Sequence, residues 1–351
     1  MRALTIEPGH AGSLALTELP DPEPGPDEIL VEALALGVCG TDREIADGEY
    51  GWAPPDRKRL VIGHESLGRV LQAPPGGEIT EGDLVVGVVR RPDPVPCGAC
   101  ARGQFDMCRN GRYTECGIKE LDGFGSQLWC VPVDYAVLLD PRLAGVGVLM
   151  EPTSVVAKAW DQVLRVGQRG WFEPERVLVT GAGPIGLLAA LLGTQCELDV
   201  HVLDRVTEGR KPLLVKELGA TYHHAPAAEV AARLRPDIVI EATGAGQVVY
   251  DAVAHTAPYG VTCLTGVSTA GHRMSVDAGA LNRDVVLEND VIVGSVNANL
   301  EHYRMAADAL AKADVDWLAR LVTRRVALDR FAEAFAAGAD DIKAVISLTD
   351  P

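Results

Sequence analysis

Three side chains near the start of the sequence are of types that bind Zn²⁺. Cys39 lies within residues 37–42, Gly-Val-Cys-Gly-Thr-Asp, and His64 and Glu65 are adjacent within residues 63–68, Gly-His-Glu-Ser-Leu-Gly. A catalytic zinc site takes three thiolate, imidazole or carboxylate ligands from the protein and leaves a fourth position open. Alone, a small buried cysteine or a histidine beside a turn is more often structural. Together these residues are candidates for a catalytic metal site.

A second chemical signature lies between residues 177 and 204. This stretch predicts a strand, a glycine-rich turn, an apolar helix and a second strand in succession, which is the order of a dinucleotide-binding unit. The predicted bounds are 177–180 for the first strand, 184–192 for the helix and 200–203 for the second strand.

The turn of this unit carries a G-x-G-x-x-G pattern at Gly181, Gly183 and Gly186, and Pro184 and Ile185 begin the helix. The first glycine allows a tight turn, and the second lets backbone N–H groups approach a pyrophosphate at the positive end of the helix. The third lets the helix lie close to its strand. These residues are therefore candidates for cofactor binding.

Asp204 follows the second strand, 18 residues after the last glycine. A carboxylate there suits a ribose diol, because the 2′-hydroxyl can donate to it. A glycine motif alone is weak evidence, but here strand, glycines, helix, strand and acid occur in order.

Three later strand-like runs, 238–241, 261–264 and 291–293, are each followed by a glycine-containing turn. In an open parallel sheet, such turns lie at the carboxyl ends of the strands, where a ligand binds. The turns supply further candidate cofactor-binding residues: Thr243, Gly266, Val267 and Asn297.

The composition argues against several classes of partner. The chain has 351 residues, a formal net charge of −17, 47% apolar residues and 23% charged residues. An acidic surface repels nucleic acids and anionic membranes, so we expect neither as a partner. The first residues lack the apolar core of a signal peptide, and no apolar run reaches the roughly 18 residues of a membrane helix, so we expect a cytoplasmic protein. Eight cysteines are too few for a disulfide scaffold, which favours metal ligands.

The chain changes character near residue 155. Before it, short apolar runs separated by Pro- and Gly-rich turns predict a compact antiparallel β domain. After it, alternating strands and helices predict a doubly wound parallel sheet of the Rossmann type, whose roughly six strands are complete near residue 297. The remaining residues either continue this domain or return to the first, and we favour the return. The predicted domains are 1–155 with 298–351, and 156–297.

Together these motifs resemble the zinc-dependent medium-chain dehydrogenase/reductase family, the relatives of alcohol dehydrogenase. The resemblance runs essentially from end to end and implies an α/β protein with a GroES-like β-rich catalytic domain and a Rossmann domain. Within the family, the chain is most similar to archaeal-type glucose (aldose) dehydrogenases. The shared runs lie outside the generic motifs: Gly-Thr-Asp-Arg-Glu at 40–44, Glu-Pro-Thr at 151–153, Asp-Ala-Gly-Ala at 277–280 and Gly-Ser-Val-Asn at 294–297.

The resemblance implies a catalytic zinc held by Cys39, His64 and Glu151, with Glu65 as a neighbouring carboxylate or an exchangeable ligand. A carboxylate in place of a second thiolate makes the site harder and more open to oxygen donors, as a polyhydroxy substrate requires. The alternative role for Glu151 is that of an acid favoured by the dipole at the start of a helix.

Substrate-handling residues are also implied by the resemblance. Thr41 matches the position whose hydroxyl begins proton transfer to water, and Glu44 stands where many relatives have the histidine that completes the path. Glu115 and His302 match positions that contact glucose hydroxyls in relatives. Each of the two is also compatible with a surface or helix-start role. Glu151 is a further candidate for contact with the substrate.

A group of cysteines resembles the structural zinc loop of the family, which carries four cysteines. Aligning Cys97, Cys100 and Cys108 with the last three of them leaves a proline at the first position, and proline cannot bind a metal. Three alternatives stay open: Cys116 is the fourth ligand, Asp93 is the fourth ligand, or the loop holds no metal.

The implied reaction is oxidation of an aldose at C1 to the lactone, with hydride transfer to NAD(P)⁺. Related glucose dehydrogenases often have Gly-Arg-Arg after the second strand, which suits a 2′-phosphate, whereas this chain has Asp204 followed by Arg205. The acid repels a phosphate, so we predict that NAD⁺ is preferred, with residual NADP⁺ use through phosphate contact or adenine stacking by Arg205.

Two alternatives to this function stay open. One is a polyol, cyclitol or amino-sugar dehydrogenase of the same family, because a fold does not fix the substrate. The other is a zinc-free, non-catalytic NAD-binding protein. The family also implies a homo-oligomer, either a dimer or a tetramer.

Overall fold

The computed structural model describes residues 1–268, 271, 273–336, 338 and 340–349. The chain forms two compact units, one made of Met1–Ser154 with Ala298–Pro351 and the other of Val155–Asn297. Within the described residues, each helix is too short or too polar to cross a bilayer.

The strands of the described residues, in chain order, are β1 (Arg2–Ile6), β2 (Ala15–Glu18), β3 (Glu28–Val38), β4 (Leu60–Val61), β5 (Glu65–Gln72), β6 (Leu84–Gly87), β7 (Arg90–Arg91), β8 (Thr114–Cys116), β9 (Glu120–Leu121), β10 (Leu128–Pro132), β11 (Ala136–Leu138), β12 (Arg176–Thr180), β13 (Asp199–Leu203), β14 (Thr221–His223), β15 (Ile238–Glu241), β16 (Val261–Leu264), β17 (Val291–Gly294), β18 (Val322–Ala327) and β19 (Lys343–Ser347).

The α-helices are α1 (Gly40–Ala46), α2 (Met150–Gly167), α3 (Pro184–Gln195), α4 (Arg210–Glu217), α5 (Ala227–Leu234), α6 (Gly246–Val253), α7 (Ala278–Glu288), α8 (Leu300–Lys312), α9 (Val315–Leu321) and α10 (Ala332–Phe335). Short 3₁₀ helices lie at Cys100–Arg102, Phe105–Met107, Val133–Tyr135, Pro141–Leu143, Gly147–Leu149 and Leu328–Arg330.

The β-rich unit is built on a sheet with the strand order β11-β6-β5-β3-β19-β18, in which β10 also pairs with β3. All neighbours in this sheet are antiparallel except β18 and β19. Along the first part of β3, buried residues alternate with partly exposed ones, which is the period of a strand with one face in the core. Because β19 pairs with β3, placing Ala344 opposite Val38, residues 343–347 lie in the sheet that carries the candidate metal ligands.

The second unit holds a six-stranded parallel sheet in the order β14-β13-β12-β15-β16-β17. Its central strands are almost wholly buried, and α3 is apolar along most of its length, as a helix covering such a sheet requires. The strand order reverses between β12 and β15, and a ligand binds in the crevice outside the carboxyl ends of strands at such a point. The predicted fold class, a β-rich domain plus a doubly wound parallel sheet, is confirmed.

Candidate active site

The three candidate metal ligands of the first motif converge in the β-rich unit. The ligand atoms of Cys39, His64 and Glu65 all lie within 4.8 Å of one another. Cys39 Sγ is 3.0 Å from His64 Nε2, and the His64 and Glu65 side chains are buried. The structure therefore gathers a thiol, an imidazole and a carboxyl group around one point.

Two strands of the main sheet position these groups. Cys39 directly follows β3 and precedes α1, and its backbone N–H donates to Asp42 Oδ2 at 2.9 Å. Glu65 begins β5 opposite Gly37 of β3. A Cβ atom at Gly37 would lie 2.0 Å from Glu65 Oε2, so a glycine is needed for the carboxyl group to lie across β3.

Asp42 orients the His64 ring. Asp42 Oδ1 lies 3.3 Å from His64 Nδ1, and both groups are buried. Within the described residues, neither atom has another hydrogen-bond partner. A carboxylate at Nδ1 favours the tautomer in which Nε2 carries the lone pair, which is how a metal-binding histidine is fixed.

Negative charge is concentrated around His64. Burial opposes protonation of the ring, yet the charges of Asp42 and Cys39 raise the pKa of His64 well above its ordinary value. Burial raises the pKa of the Cys39 thiol. Burial, with the charge of Glu65 also contributing, raises the pKa of Glu151 to about 7. Groups that shift each other in this way favour an additional positive charge among them.

Lys343 of β19 provides one such charge. Its Nζ atom lies 2.5 Å from Glu65 Oε1 and 2.7 Å from Glu65 Oε2, and both side chains are 2% exposed. Burial disfavours the charged ammonium, but the charges of Glu65 and Cys39 outweigh it and raise the pKa of Lys343.

The donor set fits Zn²⁺. A thiol, an imidazole and carboxyl groups are the ligands that this ion accepts, and one lysine faces three carboxyl groups and a thiol. Glu151 lies in the first turn of α2 and outside the 4.8 Å cluster, but its charge interacts with His64 and Glu65. Its role as a metal ligand stays a prediction.

Three of the predicted substrate-handling residues, Thr41, Glu115 and His302, lie on three different elements of the β-rich unit. Thr41 is in the first turn of α1, half-buried. Glu115 is buried on β8, and its Oε1 accepts hydrogen bonds from Arg90 Nε at 3.1 Å and Nη2 at 2.9 Å. His302 is 2% exposed in α8, where its Nδ1 accepts the backbone N–H of Asn299 at 3.2 Å.

A short 3₁₀ turn connects these last two residues. Arg90, the partner of Glu115, donates to the backbone carbonyl of Asp106 at 2.9 Å. Asn299, the partner of His302, donates through Nδ2 to Asp106 Oδ1 at 2.9 Å. Both predicted sugar-contacting residues thus depend on the same segment, Phe105–Met107.

The structure gathers three of the four cysteines of the second group. The Sγ atoms of Cys97, Cys100 and Cys108 lie within 4.8 Å of one another, and those of Cys97 and Cys100 are 3.7 Å apart. Cys116 is not brought to this cluster: it ends β8, is 3% exposed and packs in the hydrophobic core. The alternative in which Cys116 is the fourth ligand is therefore wrong.

The carboxyl group of Asp93 also lies outside this thiol cluster. Its oxygens accept hydrogen bonds from the backbone N–H of Val95 and the side chains of Asn110 and Arg112. Because three donors already bind this carboxyl group, Asp93 would have to give up hydrogen bonds in order to bind a metal.

In the parallel-sheet unit, the glycine motif lies at the end of β12. Gly181 has φ +92°, in the left-handed region that glycine adopts without strain. Gly183 precedes α3, which begins with Pro184. A Cβ atom at Gly186 would lie 1.8 Å from the carbonyl oxygen of Gly181, so helix and turn touch where the motif requires. Ile185 follows in the first turn of α3.

Asp204 follows β13 at the same edge of the sheet. Its carboxylate accepts the N–H groups of Ala182 at 2.7 Å and Val206 at 3.1 Å, and Lys211 Nζ lies 3.3 Å away. Burial opposes ionisation, but these donors lower the pKa of Asp204. The neighbouring Arg205 is exposed.

The other candidate cofactor residues lie after strands of the same sheet. Thr243 follows β15, Gly266 and Val267 follow β16, and Asn297 follows β17. Parallel strands end at one edge, so these residues share it with Gly181. Val267 is 81% exposed and Asn297 has φ +62°.

Sequence reasoning missed several residues that this geometry makes important. Asp42 lies within the Cys39 motif, three residues after the thiol, so its spacing was available as a signal. Lys343 and Glu65 are 278 residues apart, and no local pattern joins them. Glu241 lies in a short apolar strand, where it is 0% exposed.

Fold and site together define a class, the zinc-dependent medium-chain dehydrogenases. Residues 25–141 match the family model for the alcohol dehydrogenase GroES-like domain, and residues 144–348 match that for the glucose dehydrogenase C-terminus. The chain belongs to the glucose dehydrogenase family within this class.

Known proteins similar along the whole chain support this assignment. Glucose 1-dehydrogenase 2 of Vulcanisaeta moutnovskia is 38% identical, and glucose 1-dehydrogenase of Thermoproteus tenax is 39% identical, with 99% of each chain covered in both cases. A solved structure of Haloferax mediterranei glucose dehydrogenase in complex with NADP, Zn and gluconolactone matches all of both chains, with a TM-score of 0.91 and 34% identity. The predicted family is confirmed.

Proposed function

We propose that this chain is a zinc-dependent glucose 1-dehydrogenase, which oxidises an aldose at C1 to the lactone and transfers hydride to NAD(P)⁺. The observation that carries the proposal is the cluster of Cys39, His64 and Glu65 in a chain similar to glucose 1-dehydrogenases along its whole length. The Haloferax relative holds zinc, NADP and gluconolactone together, which agrees with this chemistry.

The metal-holding residues of the proposal are Cys39, His64 and Glu151, with Glu65 exchanging into the set. When bound, Zn²⁺ supplies Lewis-acid polarisation of the sugar hydroxyl. Asp42 keeps Nε2 of His64 available as a ligand. Lys343 contacts both oxygens of Glu65, so Glu65 would have to give up at least one of these contacts when it exchanges into the set.

Thr41 and Glu44 move the proton in this proposal. Thr41 lies two residues beyond Cys39 in the first turn of α1, so its hydroxyl can take the proton of the sugar hydroxyl. Glu44 lies three residues further along the same helix and is exposed, so its carboxylate can pass a proton to solvent.

Glu115 and His302 select the sugar in this proposal. Buried polar groups that hydrogen-bond substrate hydroxyls reject analogues lacking them, because the groups are then left unpaired. The Arg90 ion pair and the Asn299 contact fix the two side chains before substrate binds.

We propose that NAD⁺ is the preferred cofactor. The ionised carboxylate of Asp204 can accept a hydrogen bond from the ribose 2′-hydroxyl and repels a 2′-phosphate. Lys211 and Arg205 beside it can bind that phosphate, so NADP⁺ remains a substrate at lower efficiency.

A substrate panel tests the proposed function. Purified zinc-containing protein is mixed with NAD⁺ or NADP⁺ and with D-glucose, sorbitol or myo-inositol, and reduced cofactor is followed by fluorescence. We expect activity with glucose. Activity with the polyols alone would replace the proposal with polyol oxidation, and cofactor binding without turnover, at less than about half a zinc per chain, would indicate a non-catalytic NAD-binding protein.

We also propose a second zinc at Cys97, Cys100 and Cys108, with a fourth ligand from outside the protein. The three neighbouring thiols support it, since structural zinc sites are rich in thiolates. Zinc analysis should give two ions per chain, and Cys108→Ser should remove one without removing the other. A single zinc in both proteins would refute this second site.

A homo-oligomer is the last part of the proposal. In the described sheet β17 is an edge strand, and such an edge can pair with another chain. Apolar side chains are exposed beside it: Val286 is 63%, Leu287 65% and Ile292 44% exposed. Light scattering should show a dimer or tetramer that Ile292→Lys weakens. A monomeric wild-type protein would refute it.

A further inference from the structure

Glu241 makes an unusually dense set of hydrogen bonds at the end of β15. Its side chain is 0% exposed. Oε1 accepts Thr180 Oγ1 at 3.1 Å, the Thr243 N–H at 2.8 Å and, at a shorter distance, Thr243 Oγ1. The N–H of Gly244 is shared between Oε1 and Oε2 at 3.2 Å each.

These contacts cross the point where the strand order of the parallel sheet reverses. Thr180 ends β12, and Thr243 and Gly244 form the turn after β15. The crevice between these two strand ends is where a dinucleotide binds in such sheets. The Glu241 side chain therefore connects the end of β12 to the turn after β15.

The main chain of Glu241 fixes a third segment. Its carbonyl oxygen accepts the N–H groups of Thr265 at 2.8 Å and Gly266 at 3.0 Å, and also Thr265 Oγ1 at 2.7 Å. A Cβ atom at Gly266 would lie 2.2 Å from the nitrogen of Gly244 and 2.8 Å from Glu241 Oε2. The turns after β15 and β16 are thus packed against each other around this residue.

We propose that Glu241 is a positioning residue for the cofactor. It holds the turns that carry Thr243 and Gly266 against the end of β12, so that the binding surface is formed before the cofactor arrives. The inference rests on the proposed NAD(P)⁺ function and extends it to a residue that does not itself contact the cofactor.

The expected effect follows from the population of the ordered turns. If the competent arrangement falls to about 1–10% of molecules, the apparent Kd of the cofactor rises ~10- to 100-fold. Glu241→Ala removes every side-chain contact. Glu241→Gln keeps an acceptor at the Oε1 position, where most of the donors converge, so its Kd should rise less than about threefold.

The experiment measures NAD⁺ and NADP⁺ binding by calorimetry, and the kinetics of glucose oxidation, in both variants. Glu241→Ala should raise the KM for the cofactor, while kcat at saturating cofactor and the KM for glucose stay within about twofold. Thr180→Val gives a milder perturbation that keeps the side-chain shape, and it should weaken cofactor binding by loss of one contact.

Thr262→Val is the matched control. Thr262 lies on the neighbouring β16, is 1% exposed, and its hydroxyl has no hydrogen-bond partner within the described residues. Its replacement should leave the cofactor Kd unchanged. The inference is overturned if Glu241→Ala and Thr180→Val bind cofactor as Thr262→Val does, or if Glu241→Ala raises both KM values equally. A wild-type protein that binds neither nucleotide would instead overturn the proposed function.

Discussion

Replacing Lys343 with methionine tests the buried ion pair between Lys343 and Glu65 at the candidate metal site. Methionine keeps much of the alkyl chain and its packing but removes the charge. The Glu65 carboxyl group, 2% exposed, then loses a partner that contacts both of its oxygens. The variant therefore isolates the cost of a buried carboxylate without its cation.

The magnitude follows from this burial. Removing one partner of a buried ion pair costs about 3–5 kcal/mol, because the other charge is left uncompensated. In a unit of roughly 200 residues, 1 kcal/mol lowers Tm by ~2–4 °C, so Lys343→Met should lower the Tm of the β-rich unit by ~6–20 °C. The decrease should be larger in metal-free protein, since bound zinc gives Glu65 a new partner.

The assay is calorimetry of metal-free and zinc-loaded protein. The double variant Lys343→Met with Glu65→Gln has no unpaired charge, so it should regain most of the lost stability. Lys58→Met, at an exposed position of the same unit, is the control and should shift Tm by less than about 2 °C. Equal losses of stability in the single and double variants would show that packing, and not the unpaired charge of Glu65, explains the effect.

Three further predictions concern the parallel-sheet unit. Asp204→Gly should raise the NADP⁺-to-NAD⁺ ratio of kcat/KM at least ~10-fold, and an unchanged ratio contradicts the proposed cofactor preference. Burial and His201 lower the pKa of His223 from 6.5 to about 4. Between these two pH values the unfolded chain binds a proton that the folded chain does not, so the stability of the fold decreases as pH falls. The Tm difference between pH 7 and pH 5 should therefore be smaller in His223→Gln than in the wild type. The same Tm difference in both proteins would contradict this prediction. Gly186→Ala should abolish cofactor binding or folding, because its Cβ would lie 1.8 Å from a carbonyl oxygen, and normal binding in calorimetry would contradict that.

Features that depend on local spacing could be predicted from the sequence. The glycine motif, its flanking strand and helix, and Asp204 all lie within one short segment, where hydrophobic pattern and backbone conformation determine the structure. The residue types at Cys39 and His64 also indicate metal chemistry from the sequence alone.

Features that depend on strand pairing could not be predicted from the sequence. Lys343 contacts Glu65 only because β19 and β5 both pair with β3, one on each side. Such a pairing cannot be predicted from a short window of sequence. Cys116 has the right residue type for a metal ligand, but its place on β8 puts its thiol in the core instead. Glu241 resembles an ordinary strand residue until the turns around it are seen.

We propose that Cys39 helps to hold a zinc ion on which glucose oxidation depends. Zinc content and glucose-dependent reduction of NAD(P)⁺, measured on the same samples of wild type, Cys39→Ser and the exposed-site control Cys196→Ser, test it most directly. We predict that Cys39→Ser loses one zinc per chain and at least about 10²-fold in kcat, while the control keeps its zinc content and its kcat. A kcat of Cys39→Ser within about tenfold of the wild type, or wild-type turnover that is unchanged after zinc is removed, would contradict this proposal.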